Sequence, residues 1–159
     1  MSLYDHWHGL QYILRHKRYV FAECRALNVP LWIAILHDWD KFLPDEWFSV
    51  VNMKFASGST TDPQRITAYK LGRMKHHRRN KHHWEYWVDI SDCGEIDALP
   101  IPDVYRREML ADWRGAGKSM GKPDLLGWYS ECRATMIFHP ETRQWLEAQL
   151  GYHENANKT

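Results

Sequence analysis

Apolar residues recur at Leu10, Ile13, Leu14, Val20 and Phe21 within a segment, Leu3 to Leu27, that holds no proline and only Gly9 as a breaker. This spacing follows one face of a 3.6-residue turn and predicts a first helix. Asn28-Val29-Pro30 interrupts it. Pro30 suits the first turn of a second helix, running through Leu31, Ile35 and Leu36 to about Lys41, before Phe42-Leu43-Pro44 breaks the chain again. Asp45 to Phe55 reads as a third, shorter helix, and the Gly-, Ser- and Thr-rich stretch Ala56 to Pro63 as a loop. A fourth helical stretch extends from Gln64 to about Val88, with a break open near Asn80. Asp89 to Pro102, carrying Gly94, Pro100 and Pro102, reads as a surface loop long enough to suggest a role. Asp103 is a suitable N-cap for a fifth helix through Val104, Met109, Leu110 and Trp113, ended by Gly115 and Gly117. Pro123 to Phe138 and Pro140 to Leu150 supply two last helices, and Gly151 to Thr159 a frayed tail. No strand alternation and no repeat is evident, so the expectation is an all-α bundle of six to seven helices. It would form one domain, residues 1–150, with the tail 151–159.

Composition narrows this picture. A chain of 159 residues fits one hydrophobic core. A formal net charge of +1 supplies no global attraction to polyanions, so any basic feature must be local. The longest apolar run, Pro30 to Leu36, is too short to cross a bilayer, and the first twenty residues mix His, Asp, Lys and Arg with aromatics. Three cysteines, Cys24, Cys93 and Cys132, form no CxxC pair and suggest neither a disulfide framework nor a thiolate zinc site. The expectation is a soluble cytoplasmic protein. Ten histidines and nine tryptophans are unusual for this length. Most of the tryptophans suit core packing, although some of them could line a homo-oligomeric interface.

Histidine carries the chemistry. In Leu36-His37-Asp38-Trp39-Asp40-Lys41-Phe42 an apolar helix runs into an adjacent imidazole and carboxylate, donors to a divalent cation such as Zn, Mn, Fe, Co, Ni or Mg. The plainer reading is a helix C-terminus, with His37 on the dipole and Asp38 paired to Lys41. His16, one helix upstream, lies at a separation that a helical hairpin can close. Asp112 lies among Met109, Leu110 and Trp113, where a buried carboxylate needs a cation, hydrogen bonds or a salt bridge to Arg106, Arg107 or Arg114.

A His on one helix, an adjacent His-Asp pair ending the next and an Asp on a later helix resembles the HD-domain phosphohydrolases, and Lys41 resembles the lysine often found three residues after their aspartate. The stretches His16 to Phe21, His37 to Phe42 with Glu46-Trp47, Asn80 to Trp87, Tyr105 to Gly117 and His139 to Arg143 are also similar to an uncharacterised phage and bacterial family, over nearly the whole chain. A phage-encoded member would act in the host cytoplasm. The HD resemblance implies a helical bundle, a divalent metal and hydrolysis of a phosphoester, commonly on nucleotides. It also implies His16, His37, Asp38 and Asp112 as metal ligands, with Asp103 or Asp92 as alternatives for the fourth.

A second cluster, Met74 to Trp84, overlaps a stretch, Lys70 to His83, with six Lys or Arg and no acid. If the helix continues, His76 and His83 share a face. Such histidines would hold a second ion, as in some HD enzymes, or else His76, His77, Arg78, Arg79, His82, His83 and Trp84 would bind the substrate's phosphate and body. A solvated basic face with no role is the plain alternative. Asp38, Lys41 and Glu46, with Asp45 as an alternative to Glu46, are the catalytic candidates, the carboxylate past the His-Asp pair orienting or deprotonating water. Trp39, Trp84, Tyr86 and Trp87 are candidates for stacking on a base. The expected function is metal-dependent hydrolysis of a small phosphate ester, with a nucleotide favoured. The alternatives are a nucleic-acid-binding or nuclease-like protein using residues 70–83, and a non-catalytic helical interaction module.

Overall fold

The Ser2 hydroxyl accepts from the Asp5 amide at 3.2 Å while the Asp5 carboxylate accepts from the Ser2 amide at 2.6 Å, a reciprocal cap that starts helix α1, Leu3–Ala26. The structure, a computed structural model, describes residues 1–58 and 60–153, so residues 154–159 of the expected tail lie outside the described residues. Further helices are α2 (Leu31–Leu36), α3 (Pro44–Lys54), α4 (Pro63–Arg79), α5 (Asp103–Ser119), α6 (Leu125–Cys132) and α7 (Pro140–Leu150). Short 3-10 turns cover Trp39–Phe42, Trp84–Trp87 and Arg133–Thr135. The fold is a compact all-α one, as the periodicity predicts. No described helix is long and apolar enough to cross a membrane.

Helix α5 is the central strut. Five consecutive residues, Glu108 to Asp112, are all buried, so the helix is covered on every side there. One flank closes a core of Val20, Cys24, Val29, Ile33, Ala34 and Ala111 against α1 and α2; the other joins Met109 and Leu110 to Ile101, Tyr129, Met136 and Leu146 under α6 and α7. Burying side chains of this size stabilises by roughly 1.5–3 kcal/mol each. The expected stop at Gly115 and Gly117 does not occur, because both glycines lie inside α5. Gly115 serves close packing instead: a Cβ there would lie 2.6 Å from the backbone nitrogen of Val20.

Three other boundaries depart from expectation. Helix α2 stops at Leu36 rather than near Lys41, and Pro30 is its N-cap. Helix α4 ends at Arg79, Asn80 being extended, so it does not reach Val88. The expected loop at 89–102 contains a hairpin of β1 (Val88–Ile90) and β2 (Ile96–Ala98), pairing Val88 with Ala98 and Ile90 with Ile96. Its signal is the short alternation Val-Asp-Ile and Ile-Asp-Ala, which spans too few residues to stand out from a loop.

Candidate metal centre

The break after Leu36 creates the centre. His37 turns extended (φ −47°, ψ 126°) and Asp38 adopts the left-handed conformation (φ 55°, ψ 26°), which costs a non-glycine residue roughly 1–2 kcal/mol, although Asp visits it more readily than most. Both side chains are buried there, His37 3% and Asp38 1% exposed. The Lys17 ammonium fastens the frayed end by donating to the carbonyls of Ile35, at 3.3 Å, and of His37.

Around Asp38 two sets of donors assemble, one on each carboxylate oxygen. On the first side, His16 Nε2 lies 3.0 Å and His37 Nε2 3.3 Å from Asp38 Oδ2, and the same two nitrogens lie 3.2 and 3.4 Å from Asp112 Oδ1. On the second side, His76 Nε2 and His82 Nε2 each lie 3.3 Å from Asp38 Oδ1, with His83 Nε2 2.9 Å from His76 Nε2. Within each set, His16–His37–Asp38–Asp112 and Asp38–His76–His82–His83, one nitrogen or oxygen per residue falls within 4.8 Å of all the others. His76 and His83 therefore meet although the helix does not continue between them: the chain turns at Asn80 and folds His82 and His83 back over α4.

The donor chemistry fits divalent cations. His37 Nε2, Asp38 Oδ1, His82 Nε2 and Asp112 Oδ1 are buried and make no hydrogen bond, because their close approaches to one another are badly angled for one. Buried polar atoms without partners are costly, and here they converge on the same two points. The outward nitrogens are satisfied. Glu108 Oε1 accepts from His37 Nδ1 at 2.9 Å and lies 3.2 Å from His82 Nδ1, and Asp40 Oδ2 accepts from His76 Nδ1 at 3.0 Å. Carboxylates on Nδ1 place the proton there and direct the Nε2 lone pair inward, the usual support of a metal-ligating histidine.

The electrostatics say the same. Burial disfavours charge on the His37 ring, yet the neighbouring Asp38 and Asp112 carboxylates and the bond to Glu108 hold its pKa well above the ordinary value. Burial also opposes charge on His16 and His76, but Asp112 and Asp38 raise the first, and Asp38 and Asp40 push the second up to about 9. Asp38 and Asp112 stay ionised against their burial, held by His37 and Lys41 and by His16 and His37 respectively. The buried carboxylates thus recruit protons where a cation would serve them. Burial, helped by the charges of His82 and His76, keeps His83 neutral, ready to act as a donor.

Lys41 donates to Asp38 Oδ2 at 2.6 Å; burial works against its charge, but the carboxylate more than offsets this. Glu46 is 2% exposed, has an unpartnered Oε1, and is raised by burial to about 7 against the pull of His76. It lines a cavity of about 180 Å³ beside the centre with Tyr12, Lys41, Lys54, Arg73 and His83. The other expected residues spread out. Asp45 and Arg79 form a two-pronged surface ion pair at 3.1 and 2.7 Å and belong to neither donor set. His77 bonds Glu85 at 3.0 Å and stacks on His83, while Arg78 and Trp84 line a second, larger cavity. Trp39 is exposed, and Trp87 donates to the Lys81 carbonyl. Of the alternatives for the fourth ligand, Asp103 pairs with Arg106 and Arg107, and Asp92 is exposed. Sequence reasoning missed Glu108 and Asp40. Glu108 was findable, one turn before Asp112 on the same face of its helix.

No curated protein and no solved structure matches the chain. Residues 5–152 match one family, and the chain therefore belongs to the family of unknown function DUF5662.

Proposed function

We propose that this protein is a divalent-metal-dependent phosphohydrolase of the HD type, acting on a small phosphate ester such as a nucleotide, with Asp38 a member of both sets of residues that would hold its ions. The observation that carries this is the division of the Asp38 carboxylate, Oδ2 facing His16 and His37 and Oδ1 facing His76 and His82. His16, His37, Asp38 and Asp112 would hold one ion, and Asp38, His76, His82 and His83 the other. Such ions supply Lewis acidity to a phosphoryl oxygen and make water a better nucleophile near neutral pH. Glu46, with a pKa near 7 and a free carboxylate oxygen, takes the proton of the attacking water. Lys54 and Arg73, on the wall of the same cavity, neutralise the non-bridging phosphate oxygens. Lys41 fixes the orientation of Asp38.

The nucleic-acid reading draws less support: Lys75 and Arg79 of the basic segment are both paired to Asp45, and His76 and His82 are buried rather than displayed. The test is phosphate release by protein loaded with Mn, Co or Mg from a panel of nucleoside mono- and triphosphates, beside Asp38→Asn, which tolerates the left-handed backbone. Activity at least a hundredfold lower in the variant is expected; equal activity of the two proteins overturns the site.

A further inference from the structure

Arg73 and His77 line the cavity beside Glu46 and also a larger neighbouring cavity of about 480 Å³. Three cations of α4, Lys70, Arg73 and Arg78, line this larger space, with Glu85 as its carboxylate. The rest of the lining is largely apolar and includes Trp84, Val88, Ile90, Ile96 and Ile137. The hairpin presents its part of this lining by its register. Ile90 and Ile96 are direct cross-strand partners and Val88 lies two residues from Ile90, so all three project from one face, while Asp89 and Asp97 project from the other. Ile90 and Ile96 are 64% and 57% exposed, and no core contact explains why a three-residue strand pair should display isoleucines there.

We infer that this larger cavity receives the alcohol half of the substrate, and that this half has an apolar or aromatic body rather than a bare polyol. The inference rests on the phosphohydrolase reading, since the smaller cavity is taken to hold the phosphate. The shared Arg73 and His77 make the two spaces neighbours, so an ester with its phosphate in the smaller cavity and its leaving group reaching past these two side chains would meet the hairpin. The volume suits a ring system, Trp84 brings an indole to the lining, and the exposed isoleucines offer apolar area that a bound ring would remove from water. A polyol there would lose hydration without gaining partners from the isoleucine wall.

The experiment compares phenyl phosphate and 2-naphthyl phosphate with glycerol phosphate and ribose 5-phosphate, using metal-loaded protein and the double variant Ile90→Thr/Ile96→Thr, which keeps the branched shape that strands favour. The aryl esters are expected to show roughly tenfold or greater advantage in kcat/KM, from KM. The variant should lose most of that advantage. Equal kcat/KM for aryl and polyol esters, or a parallel loss on both in the variant, overturns the inference. Binding of phenylphosphonate against methylphosphonate, measured calorimetrically on the same metal-loaded proteins, separates the two claims. Tighter phenylphosphonate binding that the variant abolishes, without hydrolysis of any ester, upholds the cavity and refutes the phosphohydrolase; equal binding of the two phosphonates refutes the cavity whatever the activity.

Discussion

Glu108→Gln should weaken both ions at once. A single carboxylate oxygen, Oε1, stands 2.9 Å from His37 Nδ1 and 3.2 Å from His82 Nδ1, and these two rings belong to different donor sets. Glu108 is 4% exposed, and its bonds with His37 and His82 hold it ionised in spite of burial. The amide keeps the shape but removes the charge that orients the two imidazoles and makes them more basic. Loss of such a supporting carboxylate costs roughly 10–100-fold in metal affinity, about 1.4–2.7 kcal/mol per ion. Titration of metal-free protein with Mn or Co against a fluorescent chelator, with circular dichroism to verify the fold, reads both affinities. His82→Gln, by contrast, should weaken one ion and leave the other close to wild type. Wild-type affinity for both ions in Glu108→Gln, or loss of one with the other untouched, would refute the assignment of Glu108 as their common support.

Gly115→Ala should destabilise the fold by about 2–4 kcal/mol, because the added Cβ meets the Val20 backbone at 2.6–2.7 Å and α1 must move away from α5; a thermal melt equal to wild type would show that the helices do not cross this closely. The pH dependence has opposite signs with and without metal. In metal-free protein the raised pKa of His76, about 9, contributes stability that is fully present below its unfolded value near 6.5 and is lost as pH rises through 9. Metal needs the neutral imidazole, so its stabilisation grows over the same range. The difference in Tm between metal-loaded and chelator-treated protein should therefore widen from pH 6 to pH 9, and a constant or shrinking difference would contradict the ligand set. At pH 8, an ion present at a hundred times its Kd should contribute about 2.7 kcal/mol, so adding excess chelator should lower Tm by several degrees.

Much was legible from local signals alone. The 3.6-residue spacing in Leu3 to Leu27 and the prolines at 30, 44, 63 and 140 mark out the helices, because these signals act over one or two turns. The adjacency of His37 and Asp38 at the end of an apolar helix, and the carboxylate of Asp112 within a buried one, mark the three residues that meet His16. What the tertiary structure decided is which side chains share a point in space. Nothing local announces that α2 stops at Leu36 so that Asp38 can turn left-handed and offer one oxygen to each side. Nor does it show that the chain reverses at Asn80 to lay His82 and His83 against His76, or that Glu108 clasps rings 71 and 26 residues away. Helix propensity is settled by neighbours within a few residues, whereas a cluster of buried charges is settled by side chains of α1, α4 and α5 meeting His37, Asp38 and Asp40, which happens only once the helices have packed.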